Sequence, residues 1–329
     1  MVKKIALNLL LLTLSLLIAA LIGEGALRLI MKDSIVLFPR YHTNAHYGEF
    51  EIRRFRPDSE FWHTSIDGRW HFQTDARGLR NNQNIPYEKR PGVARILALG
   101  DSHTAGYEVA QDETFAAVLE RLSRNEGAEA EVINAGISGF GTAEQLVYLE
   151  NEGLKFDPDV VILAFYANDF EDNVKSGLYG LQDGELVVKK RSHVPGVRIQ
   201  NALYDWTIIR WLSENSYFYS FVFNSVYEIA KASLAAARKE EAQTDYAIAT
   251  GDVDDYQNKL ARELIAAVAK VCADNGITLV IVDIPRPTKS NELLSSIPGD
   301  MVAMFDSSSD ALVLSSDSLS QLAADGVLI

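Results

Sequence analysis

The chain has 329 residues, 47% hydrophobic and 23% charged, with a formal net charge of −14, a composition that permits a sizeable globular core. The acidic balance, with no Lys/Arg cluster, argues against a nucleic-acid partner, which needs a basic patch or stripe. A single cysteine, Cys272, excludes a disulfide framework and a Cys-based zinc site; it falls in a helical pattern and reads as a small buried hydrophobe.

Residues 5–23, IALNLLLLTLSLLIAALIG, carry no charge and follow Lys3-Lys4. As a helix this run spans roughly 28 Å, enough for a bilayer core. A cleaved signal peptide has a shorter apolar region, about 7–15 residues, followed by small residues at the cleavage site. Gly23 and Gly25 fit that site weakly, so 1–32 reads as an uncleaved membrane anchor. Lys3 and Lys4 favour an N-inside orientation, with the main domain extracytoplasmic; Arg28, Lys32 and Arg40 beyond the span weigh against it.

Residues 33–93 read as a small β-containing linker region. FWHTSIDGRWHFQT alternates around Asp67-Gly68, a hairpin signal. His42, His46, His63 and His71 lie here without a metal-ligand spacing, so no metal site is expected among them.

The main domain is placed at 94–329. ILAL (96–99) reads as a short buried strand. Helix 112–126 presents Phe115, Val118, Leu119 and Leu122 on one face and ends at Gly127. EVIN (131–134) is the next strand. Thr142 and Gln145 read as a capping box for a helix running to Gly153, and VVILAFY (160–166) as a third strand. A helical insertion is placed over 171–256, then a helix at 257–274, a strand at 277–283 and an apolar run at 311–314. Near-continuous apolar strands alternating with helices predict a three-layer α/β/α fold with a parallel sheet.

Three strands end in residues that could carry chemistry: Gly100-Asp101-Ser102, NAGISGFGT with Gly136, Gly139 and Gly141, and YANDF with Asn168-Asp169. Ligands of open parallel sheets bind beyond the C-terminal strand ends. A hydroxyl there supplies a nucleophile, a glycine lets a backbone N–H approach closely, and an asparagine amide adds a donor, together a nucleophile with an oxyanion hole. Gly136 and Gly141 read as turn residues, and Asp101 and Asp169 as partners of local backbone.

This set resembles the SGNH hydrolase superfamily, the GDSL-type esterases. GDSHTAG is similar to its first block, NAGISGFGT to its second and YANDF to its third, although Tyr166 and Ala167 depart from the usual Gly-x-Asn-Asp. FQTDARGLRNN (72–82) and the N-terminal helix look like a membrane-anchored bacterial subgroup. The resemblance covers roughly 95–283 and implies a flavodoxin-like fold. It also implies ester hydrolysis through an acyl-Ser102 intermediate without a metal or organic cofactor, with the oxyanion held by the Ser102 and Gly139 N–H groups and the Asn168 side chain, on O-acyl groups of envelope glycans or lipids. An O-acyltransferase acting on a polysaccharide and an inactive binding protein are the alternatives.

The family's Asp-x-x-His block is not found. No histidine follows His193, and three residues after Asp325 stands Leu328. The apolar ending GVLI suggests an incomplete chain; loss of the base is the other reading. His103 and His193 are the weak internal substitutes. In the insertion, Trp206, Trp211, Tyr217, Phe218, Tyr219, Phe221 and Phe223 fit helices packed on the sheet edge, a lid, or membrane contact.

Overall fold

A computed structural model describes residues 2–37, 39, 41–81, 83–238, 255–287, 293–306 and 311–315. Asp325 and Leu328 lie outside the described residues. The chain divides into two compact units, one drawn from 1–40, 61–71 and 201–244, the other from 41–60, 72–200 and 245–329.

The larger unit is built on five parallel strands: β1 (Ala94–Gly100), β2 (Ala130–Gly136), β3 (Val160–Phe165), β4 (Thr278–Asp283) and β5 (Ala311–Leu314). Their order across the sheet is β2-β1-β3-β4-β5, with Leu97 opposite Ile133 on one side and Val161 on the other. Buried on both faces, these strands read as unbroken apolar runs; Leu97, Ile133 and Leu163 are each 0% exposed. Each such side chain stabilises the fold by about 1.5–3 kcal/mol. The β1–β2 connection runs one way across the sheet and the β2–β3 connection runs back, so right-handed crossovers place their helices on opposite faces.

The linking helices are α1 (Ser102–Ala105), α2 (Phe115–Asn125), α3 (Thr142–Asn151), α4 (Asp169–Ser176) and α5 (Asp255–Asp274). The α5 helix buries Leu260, Leu264, Ile265, Val268 and the expected Cys272. Two sequence expectations are corrected here. Helix α2 follows a separate short turn at Gln111–Glu113 and buries only Ala116, leaving Phe115 and Leu122 exposed, because it packs on the edge strand β2 and its remaining face overhangs the sheet. The cap of α3 also sits one residue earlier than Thr142 and Gln145. Gly141 is the N-cap and donates its N–H to Glu144, while Gln145 reaches Asp169.

At the N-terminal end of β1, Arg95 is fully buried and donates to both Glu131 and the carbonyls of Tyr87, Glu88 and Phe156. Every guanidinium nitrogen has a partner, which makes a buried charge tolerable. A small sheet joins His42–Tyr47, Phe50–Phe55 and Ser192–His193. The region expected as a helical insertion is only partly helical, since Tyr179–Gln182 and Glu185–Val188 form a hairpin.

In the smaller unit, helix Val2–Ile30 is followed by a strand turn through Ser65–Gly68, as the Asp67-Gly68 signal predicts. The stretch Lys3–Ile30 is long and apolar enough to cross a membrane, with an 18-residue window of mean hydropathy 2.7. Helices Thr207–Asn215 and Tyr217–Arg238 complete the unit. Glu24 accepts hydrogen bonds from Ser216 Oγ (2.7 Å) and from the N–H groups of Tyr217 (3.2 Å) and Phe218 (2.9 Å), satisfying orphan donors at a helix start. Arg28 holds Glu24 at 2.6 Å, donates to the Asn215 carbonyl and lies over the Tyr217 ring.

Candidate active site

Strand order reverses between β1 and β3, so the crevice beyond their C-terminal ends is the topological switch point of the sheet. The chain puts Ser102 there after β1 and Asn168 after β3. Asp101 caps α1, accepting the His103 N–H at 2.8 Å. Ser102 is the first helical residue, so its own N–H lies outside the intrahelical ladder. Among the described residues, no hydrogen bond to Ser102 Oγ is formed.

The second loop is tied to the first, with Ile137 N–H donating to the Gly100 carbonyl at 3.1 Å. Gly136 is not a turn residue as expected. It ends β2, and a Cβ there would stand 2.5 Å from the Ala105 nitrogen, so glycine lets α1 approach the strand. Gly139 does turn, at φ +75°, and a Cβ would strike the Arg53 guanidinium, which donates to the Ser138 carbonyl. The Gly139 N–H has no partner among the described residues.

Asn168 sits at the same edge but is engaged differently from the sequence expectation. Its Nδ2 donates to Asp101 (3.3 Å) and Asp172 (3.0 Å), and its Oδ1 is buried without a partner. Both amide hydrogens therefore face carboxylates rather than an open position. Asp169 accepts the Tyr166 N–H at 2.7 Å, as a local backbone partner.

Sequence reasoning named Asp101 and Asp169 as backbone partners but missed that Glu144 and Asp172 gather with them behind this edge. Asp101, Glu144 and Asp169 are buried. Burial, with Glu144 and Asp101 nearby, pushes the Asp172 carboxyl up to about 6 against the opposing pull of Lys175. Burial and the Asp101 charge hold Asp169 well above the usual carboxylate range.

Two histidines join them. His103 Nδ1 lies 3.1 Å from Asp101 and its ring packs 4.1 Å from that of Tyr166. Burial lowers the His103 pKa, but the Asp101 hydrogen bond and charge outweigh it and the net shift is upward. His193 Nδ1 lies 2.7 Å from Glu144, the residue that caps Gly141. The signal for both pairs was faint: Asp-Ser-His is a local pattern, but Glu144 and His193 are 49 positions apart.

An open parallel α/β sheet with a serine at its switch point defines the class; comparison with known proteins gives the family. A sequence model of the GDSL-like lipase/acylhydrolase family matches residues 98–300, and the chain belongs to that family. It is 29% identical over 124 residues to an arylesterase of Vibrio mimicus, covering 34% of this chain and 62% of that protein. The chain thus spans less than two thirds of that relative. Among solved structures it is similar to AlinE4, an SGNH-hydrolase family esterase, at 16% identity, with 69% of this chain and 77% of that one covered and a TM-score of 0.33. It is also similar to the psychrotrophic esterase EstA of Pseudoalteromonas, at 13% identity, with coverages of 67% and 75% and a TM-score of 0.33.

Proposed function

We propose that the chain is a membrane-anchored serine ester hydrolase that forms an acyl-Ser102 intermediate. The observation that carries this is the pairing, at one switch point, of an unengaged serine hydroxyl at a helix start with the unpartnered N–H of Gly139. Ser102 Oγ attacks the ester carbonyl while its proton passes to a base. The Ser102 and Gly139 N–H groups hold the developing oxyanion, with Asn168 as third donor once its amide turns from the carboxylates. The alcohol leaves with a proton, and water then releases the acid and restores Ser102.

Adjacent positions on a helix point about 100° apart, so His103 does not face Ser102. His103→Ala and His193→Ala test whether either histidine–carboxylate pair supplies the base. Fitting substrates are O-acyl groups on envelope glycans or lipids, supported by the anchor and the extracytoplasmic orientation that Lys3 and Lys4 favour. The anchor is favoured over a cleaved leader because Glu24 and Arg28 are built into the fold, on partners near residue 216.

A fluorophosphonate probe and a short-chain p-nitrophenyl ester test the reading on the full chain. Labelling and hydrolysis that vanish in Ser102→Ala support it. A folded chain that neither labels nor turns over overturns it in favour of a binding protein.

A further inference from the structure

We infer that helices Thr207–Asn215 and Tyr217–Arg238 form a second membrane contact, lying at the hydrocarbon–headgroup boundary beside the end of the N-terminal helix. The inference rests on the anchor reading and goes beyond it, because a single span does not require any other element to touch lipid.

Depth is set by hydrogen bonds. The uncharged run ends at Gly23, and a run of that length just fills a bilayer core, so Glu24 stands at the boundary. Glu24 accepts from Ser216, Tyr217 and Phe218, which fixes the start of the longer helix at the same depth. Arg28, about one turn further out, donates to the Asn215 carbonyl, which fixes the end of the shorter helix. The end of the shorter helix and the start of the longer one are therefore held within a few ångströms of the level where the anchor leaves the hydrocarbon, and from that point both lie along the boundary in the proposed contact.

Their surface suits that level. Trp206 and Ile208 at the start of the shorter helix and Trp211 one turn later are all more than half exposed. On the longer helix Phe221, Val226 and Ile229 are exposed as well, and Val222, Val226 and Ile229 follow an i, i+4, i+7 stripe. An apolar stripe on a water-facing helix is a liability. Beside a span it is an interfacial face, and tryptophan is the residue enriched at that depth. The occupant is the lipid bilayer, by continuity with the span.

The test uses the full chain reconstituted at low protein-to-lipid ratio in phosphatidylcholine vesicles brominated either near the headgroups or near the chain ends. Shallow bromines should quench tryptophan emission more than deep ones. In Trp206→Tyr/Trp211→Tyr the quenched fraction should fall at least about twofold, Trp62 and Trp70 being left. Unchanged quenching in the double variant, with Trp206 and Trp211 open to aqueous acrylamide in the wild type, overturns the inference. Protection of both from lipid bromine and from acrylamide, with cross-linked dimers, also overturns it and assigns the face to a second copy. Resistance to alkaline carbonate extraction reports the anchor separately, so a failed span and a failed contact give different results.

Discussion

The two units place the same kind of residue in opposite ways. In the α/β unit, Leu97, Ile133 and Leu163 are sealed between sheet and helices, and the surface at the strand ends is polar. In the other unit, Leu10, Leu16, Ile22 and Trp206 are each more than 60% exposed. Apolar burial in the first excludes water; under the proposed anchor, the apolar exposure in the second faces lipid. Charges differ in parallel. In the sheet unit Arg95 and Glu131 sit deep in a fixed partnership, whereas Glu24 and Arg28 stand where the apolar run stops.

The contrast can be broken or sharpened by substitution. The largest effect belongs to the sheet edge: Ser102→Ala should lower turnover of a p-nitrophenyl ester by about 10⁶ with the urea midpoint unmoved, as loss of a serine nucleophile does elsewhere. Next is the opposite end of β1. Arg95→Met removes the buried partner of Glu131 and leaves it only the exposed Arg90, at a cost of up to about 3–5 kcal/mol in urea unfolding.

Asp172→Asn should act through pH. Its native pKa is raised to about 6, so wild-type stability falls as pH rises from about 4 to 6, where the unfolded chain has released the proton and the native carboxyl has not. The variant should match wild type below about pH 4 and exceed it by up to about 3 kcal/mol above pH 6. Urea titrations across that range check the sign. Smallest is Leu16→Ser on the apolar helix, which should move the midpoint of the α/β unit in detergent by less than about 0.5 kcal/mol. A large loss there would mean that the apolar helix supports the α/β unit directly.

The sheet was legible because its strands are short, unbroken apolar runs ending in glycine or small polar residues. That pattern puts Ser102, Gly139 and Asn168 just beyond the C-terminal ends of three strands. Less legible was anything that depends on a partner distant in sequence. The Asn168 amide is named by its motif, but its direction is set jointly by Asp172, four positions on, and by Asp101, 67 positions away. Helix α2 showed a clean apolar face, yet periodicity cannot tell that its sheet ends beneath it. The capping box slipped by one because Thr142 is a good cap by type, whereas Gly141 caps through Glu144. The glycines were recognised for the wrong reason at Gly136, where close helix approach, not a turn, excludes a side chain.

The cap that Glu24 provides also has a consequence in time. Its partners lie 192 to 194 residues downstream, so at 5–20 residues per second they leave the ribosome roughly 10–40 s after it does. Through that interval the carboxylate stands at the end of the uncharged run with Arg28, four residues on, as its companion. The earliest segment made is among the last to be finished, and the ion pair within it serves as its provisional partner until the distant helix arrives.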